Sequence, residues 1–440
     1  MRRITLFVTL ALVLSAFGAY ALRAQEATLA DRIAALPHVK DVQEMESTKF
    51  PEKYLVIFEQ PINHENPSEG TFTQRVVVGI VHPDSATVVV TEGYGAQYAF
   101  VPSYRDEIST MFNTNNIVVE HRYFLESTPY PGEAPEDVNW DYMNAPNAAA
   151  DIHEVVTALK DILDGKWIST GISKGGQNTM IYRTYYPDDV DFSVPYVGPL
   201  CRALHDGRHE PFIETYVGSP ADREAVKNFQ SELLLRKERL MPAFDSVCNA
   251  NNYKFNVPTD EVYDFGVLEF SFAFWQWGYP VEQIPGKDAS DKDVFDYMMA
   301  ICSPEYFVTW STTSPFFVQA AKELGYYGYD MKPFKEYKKY FSIKNTKNYL
   351  QKLMLPQGVD LEFSDYLYNK ISAFLLSTDA RMLFIYGQFD PWSAVMPADP
   401  HKDNIKFFVQ PGGSHRARIA TFDEATQKEI KSILSQWLYE

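Results

Sequence analysis

The sequence predicts an α/β fold: a largely parallel sheet flanked by helices, with a mainly helical unit inserted late in the sheet. Three observations predict it. Short apolar runs such as Val88-Val89-Val90, Ile117-Val118-Val119 and Met382-Leu383-Phe384-Ile385-Tyr386 are bounded by Gly, Asp and Asn, as buried strands are. A helix, a strand, the pentapeptide Gly171-Ile172-Ser173-Lys174-Gly175 and a second helix follow one another without a gap. Between Gly198-Pro199 and Met382 lies a long stretch with helical periodicity and no convincing core strand.

In chain order, Arg2-Arg3 followed by the apolar run 4–19 and Ala19-Tyr20-Ala21 reads as a signal peptide over residues 1–24, cleaved after 21 or 24. The mature chain is then expected to be secreted or periplasmic, and no later segment is long and apolar enough to span a membrane. Tyr54 to Phe58 and Thr71 to Ile80 read as antiparallel strands around a Pro/Asn/Gly loop. The Val88 strand runs into Glu92-Gly93-Tyr94-Gly95-Ala96, whose glycines allow backbone donors to approach a ligand. Ile152, Val155, Val156, Leu159, Ile162 and Leu163 form one helical stripe, with Asn147 expected as N-cap and Gly165 as stop. Residues 166–170 are then a strand, and the elbow helix is expected from near Gly176 to Tyr186, ahead of Pro187.

G-x-S-x-G is the nucleophile elbow of an α/β-hydrolase, which turns a serine out of the sheet on a bend that only flanking glycines tolerate. A serine hydroxyl needs a histidine to take its proton and a carboxylate to orient that histidine, in the chain order Ser, Asp or Glu, His. Asp390 follows the strand 382–386, and His415 follows the strand 405–409 on the loop Gln410-Pro411-Gly412-Gly413-Ser414. His401 is the other histidine beyond Asp390; with Asp399 and Asp403 it sits in a polar turn before the last strand. The expected catalytic set is therefore Ser173, Asp390 and His415. The expected oxyanion donors are the backbone N–H of Lys174 and one from Tyr94 or Gly95. The closing helix buries Ile430, Ile433, Leu434, Trp437 and Leu438, with Thr421 and Glu424 as its expected capping box.

The inserted stretch, residues 201–379, is read as a cap over the C-terminal strand ends, leaving 25–200 and 380–440 as the catalytic domain. Glu224 to Leu240 reads as a single charged amphipathic helix. Phe265 to Tyr279 is dense in aromatics, and Leu324 to Tyr329 adds a tyrosine cluster. Cys201, Cys248 and Cys302 allow one disulfide and one leftover thiol in an exported chain, with no pairing fixed by spacing. His205 and His209 are four apart but are separated by Gly207, so no metal site and no cofactor is expected. A net charge of −18 argues against nucleic acid, whose phosphates it repels, and is compatible with cationic peptides. The oligomeric state stays open.

Glu120-His121-Arg122-Tyr123-Phe124 directly after the Ile117 strand, paired with the later elbow, resembles the serine exopeptidase clan of prolyl carboxypeptidase and dipeptidyl peptidase II. Leu125 stands where the first branch usually has glycine. Thr91-Glu92-Gly93-Tyr94-Gly95, Trp167-Ile168-Ser169-Thr170-Gly171 with Ser173-Lys174-Gly175-Gly176, and Tyr186-Pro187-Asp188-Asp189-Val190-Asp191 look like the secreted bacterial tripeptidyl aminopeptidases, from about Thr71 to the C-terminus. The resemblance implies release of tripeptides from peptides with a free N-terminus, with Ser173, Asp390 and His415 as the triad. Exopeptidase action needs a carboxylate for the substrate's α-amine, and Glu92, Glu126 and Glu269 are the candidates. The alternative within the fold is a secreted esterase or lipase.

Overall fold

The computed structural model describes residues 27–440, so the expected signal peptide lies outside the described residues. The strands are β1 (Val39–Glu44), β2 (Glu52–Pro61), β3 (Thr71–Ile80), β4 (Thr87–Thr91), β5 (Asn115–Val119), β6 (Trp167–Ile172), β7 (Phe192–Tyr196), β8 (Arg381–Gly387) and β9 (Ile405–Gln410). They form one nine-stranded sheet in the order β1-β2-β3-β5-β4-β6-β7-β8-β9. β1, β2, β3 and β5 pair antiparallel, and from β5 across to β9 every pairing is parallel. Every residue of β4, β5 and β7 is buried, which is why these strands read as unbroken apolar or Thr/Asn runs rather than as alternating ones. This is the α/β-hydrolase core with a helical cap. Its ligand-binding edge is the C-terminal end of the parallel strands.

Helix α1 (Ala145–Leu159) starts three residues earlier than Asn147 implies. Asn144 is the N-cap, its side chain accepting the N–H of Asn147 at 3.0 Å, and a proline in the first turn presets the helical φ. α1 ends at Leu159, well before Gly165. Helix α2 (Lys174–Tyr185) begins directly after the serine.

Between β7 and β8 lie α3 (His209–Thr215), α4 (Pro220–Leu235), α5 (Lys237–Ala250), α6 (Thr259–Trp277), α7 (Asp291–Ile301) and α8 (Tyr366–Ser377), with shorter turns. The stretch 224–240 is two helices, not one. Arg236 leaves helical geometry (φ −96°, ψ 1°), and its guanidinium is held by Glu232, the carbonyls of Lys287 and Ala289, and Asp291. The cap shares its apolar core with the sheet: Tyr327 stacks on Phe272 and on Tyr326, and all three pack on Trp392, from the turn after β8. The final helix, α9 (Glu424–Tyr439), is capped by Asp423, which accepts the N–H groups of Ala425 and Thr426. Thr421, expected in that role, instead accepts the N–H of Arg418.

All three cysteines are free thiols. Each fills an apolar core position, so the disulfide that the cysteine count allows is not made, and burial pushes the Cys248 thiol up to about 11. No helix among the described residues is long and apolar enough to cross a membrane.

Candidate active site

The elbow is built from close backbone contacts. Ser173 has φ 59° and ψ −121°, a region costly for any side chain, and its own N–H donates to the carbonyl of Tyr196 at 2.9 Å. A Cβ at Gly171 would stand 2.3 Å from the carbonyl oxygen of Gly175, and one at Gly176 would stand 2.4 Å from that of Tyr196. Both positions therefore require glycine for space rather than for φ. Ser173 occupies the N-cap of α2, yet its hydroxyl caps nothing and stays free for chemistry. The Lys174 N–H, in the first turn of α2, has no intrahelical acceptor.

Asp390 follows β8 and is fully buried. Its Oδ1 accepts the N–H of Trp392 at 3.1 Å, and its Oδ2 lies 2.7 Å from Nδ1 of His415. A carboxylate there accepts the Nδ1 proton, leaving Nε2 as the acceptor nitrogen. Nε2 is buried and has no hydrogen-bond partner, so its bond to the Ser173 hydroxyl is not formed in this conformation. Unliganded hydrolase sites commonly loosen that contact. His401 and Asp399 stand together at the surface, away from this pair.

The loop after β4 packs on the elbow through Gly93, where a Cβ would lie 2.7 Å from the Lys174 stem and 2.8 Å from the Gly175 nitrogen. The Tyr94 N–H donates to the Glu92 carboxylate at 3.1 Å, as does that of Gly93 at 2.7 Å, and the Tyr98 hydroxyl donates at 2.5 Å. A Cβ at Gly95 would stand 2.3 Å from the Leu125 side chain. The Lys174 side chain is buried, with Nζ 5.5 Å from the Phe124 ring and 5.8 Å from that of Tyr94. It makes no hydrogen bond, and burial pulls it down to about 7 against the opposing charges of Glu92 and Glu323.

A cavity of about 550 Å³ opens above Ser173, between the core and the cap, and Tyr94, Trp277, Trp392 and Glu269 line it. The Glu269 carboxylate accepts from the hydroxyls of Tyr327 and Tyr329 at 2.8 and 2.7 Å, and burial pushes it up to about 7 despite both donors. Of the three carboxylates considered for an amine, Glu126 is excluded by position. Its side chain is 70% exposed, pairs with Arg75 and does not reach the cavity. Glu92 is engaged by its own loop. The partners Tyr327, Tyr329 and Trp277 belong to aromatic clusters visible in the sequence, but nothing in it singles them out. Glu120 and Arg122 brace the core: Glu120 binds Arg75 and the Ala96 N–H, and Arg122 grips Asp151 through two bonds. Among the described residues no group of His, Cys, Asp and Glu is placed to hold a metal.

The solved structures similar to this one include a proline iminopeptidase of Mycobacterium smegmatis and a peroxisomal α/β-hydrolase of Saccharomyces cerevisiae. The first is 12% identical over 87% of this chain and 97% of that one, and the second 10% identical over 91% and 90%; both have a TM-score of 0.36. A prolyl tri/tetrapeptidyl aminopeptidase of Streptomyces mobaraensis is 28% identical over 431 residues, covering 95% of this chain and 87% of the relative. The family model for PS-10 peptidase S37 matches residues 23–437. The chain belongs to the S37 family of serine peptidases.

Proposed function

We propose that the protein is an exported aminopeptidase that releases tripeptides, or similarly short peptides, from free N-termini, using Ser173, His415 and Asp390 as its triad. The observation that carries this reading is a buried carboxylate, Glu269, walled by tyrosines in the same cavity as Ser173. A peptide's α-ammonium is the natural partner for such a group, because a buried carboxylate without a cation is costly. The similarity to a tri/tetrapeptidyl aminopeptidase supports the product length. In this reading residues 201–379 close over the site that 25–200 and 380–440 carry, and the apolar N-terminus directs export.

His415 Nε2 takes the Ser173 proton as Oγ bonds to the substrate carbonyl carbon, and Asp390 stabilises the imidazolium that results. The oxyanion is held by the Lys174 N–H and by that of Tyr94, once the Glu92 side chain releases it. The carbon–nitrogen bond then breaks as His415 gives its proton to the departing amine. Water, deprotonated by the same histidine, frees the acyl-enzyme.

Ser173→Ala is expected to abolish hydrolysis of a tripeptidyl-coumarin while leaving the melting temperature within a few degrees of wild type. Wild-type turnover by the folded alanine variant would end this assignment. Glu269→Gln is expected to raise KM for free tripeptides by about tenfold or more, since a charged hydrogen-bonded contact contributes roughly 1.5–3 kcal/mol. It should leave the slow hydrolysis of the N-acetylated analogue unchanged. Equal wild-type cleavage of blocked and free substrates would exclude amine anchoring altogether.

A further inference from the structure

One face of α6 runs the length of the catalytic cavity. Glu269, Ala273, Gln276 and Trp277 recur at i, i+4, i+7 and i+8, the spacing of a single helical stripe, and all four line it. A neighbouring face, through Leu268, Phe272 and Trp275, borders a separate cavity of about 770 Å³ that Ser173 does not line. The C-terminal end of the stripe is fastened to the histidine loop. The His415 N–H donates to the Gln276 carbonyl at 2.9 Å, the Trp277 ring stands edge-on to the imidazole with centroids 5.9 Å apart, and the Gly278 backbone abuts Ser414. The other end holds Glu269 between Tyr327 and Tyr329.

Seven residues of α-helix separate Glu269 from Gln276, a rise of about 10 Å. Three residues of extended peptide also span about 10 Å. We infer that α6 is the ruler of this peptidase: it fixes the amine anchor Glu269 at a three-residue distance from the histidine it holds in place, and so sets tripeptides as the product. This inference rests on the aminopeptidase reading above and adds to it the element that measures. A helix suits the purpose because both marks sit on one rigid element, so breathing of the cap moves them together.

The ruler can be shortened by moving the carboxylate. Ala273 lies on the same stripe one turn nearer His415, about 6 Å along the axis. Purified wild type, Glu269→Gln and Glu269→Gln/Ala273→Glu would be assayed on coumarin amides of one to four residues, each free and N-acetylated. The expected result is a tripeptidyl optimum in wild type and loss of the free-over-blocked preference in Glu269→Gln. In the double variant the preference should return, with the optimum moved to aminoacyl or dipeptidyl substrates by at least tenfold in relative kcat/KM. If Glu269→Gln keeps the free-over-blocked preference, the amine anchor itself is wrong. If that preference is lost but a folded double variant still peaks at three residues, or cleaves no length, the anchor stands and the ruler is overturned.

A second measurement covers a double variant that fails to fold. Fluorophosphonates bearing an amine on alkyl tethers of graded length would be reacted with the wild-type enzyme. The inactivation rate is expected to peak at a tether of about 10 Å, the length of three extended residues. A rate independent of tether length overturns the ruler.

Discussion

At Ser173 the backbone itself carries part of the proposed mechanism: a φ of 59° with ψ −121° persists only because the glycines at 171, 175 and 176 let strand and helix close around it. The hydroxyl is thereby fixed independently of its neighbours, and the remaining requirement is a correctly protonated histidine. Asp390→Ala removes the acceptor that holds the His415 Nδ1 proton. It should lower kcat by about 10⁴-fold with little change in KM, read from steady-state rates on a tripeptidyl amide. The motif residues were legible in the sequence because their chemistry dictates residue type, spacing and order together. The amine side was not. Glu126 and Glu269 are equally acidic in sequence, and only the fold leaves one exposed against Arg75 and puts the other among buried tyrosines. Leu125 is a further case. Its φ of 49° explains why glycine suits that position, yet its side chain packs on Gly95, a contact that sequence alone does not reveal.

Among the elements, α6 joins the cap to the catalytic loop, and Gly278 is where it stops. Gly278 has φ 67° at the helix end, and a Cβ there would stand 2.9 Å from that of Ser414. Gly278→Ala therefore adds a left-handed strain of about 1 kcal/mol and displaces the loop that carries His415. The expected outcome is a tenfold or larger fall in kcat with a loss of only a few degrees in melting temperature. An unchanged kcat would mean that the loop is positioned by β8 and β9 alone. The core strands could be read from the sequence because burial on both faces leaves them largely apolar, and α2 because it follows the serine motif at once and ends ahead of Pro187. The break between α4 and α5 could not, since Arg236 is a good helix former whose tertiary partners, Asp291 and the carbonyls of 287 and 289, override its local preference. Edge strand β1 was missed for a related reason: its six residues are mostly exposed and polar, and only pairing with β2 makes it a strand.

Over the whole molecule, two buried ionisable groups of the site, Glu269 and Lys174, act on stability in opposite pH windows. Glu269 is raised to about 7 in the fold, against about 4.3 in an unfolded chain. The native state therefore binds the extra proton between those values, and stability falls as pH rises from about 4 to 7. Lys174 is lowered to about 7, against about 10.4 unfolded. Here the unfolded chain binds the extra proton, so stability rises with pH from about 7 to 10. Both penalties are nearly complete close to pH 7, where they amount to at most roughly 4 and 5 kcal/mol. Near neutrality the substrate's α-amine is still largely protonated, and Glu269 becomes able to hold it. The site is thus least stable where its proposed anchor becomes charged, which fits a group kept for binding rather than for folding. Melting curves of three proteins test this. The gain in melting temperature of Glu269→Gln over wild type should grow from near zero at pH 4 to a plateau above pH 7. That of Lys174→Met, which retains the backbone N–H and most of the buried stem, should be constant below pH 7 and shrink toward pH 10. Parallel curves for all three proteins would show that neither group changes its proton affinity on folding. The anchoring role of Glu269 would then rest on its position in the cavity alone.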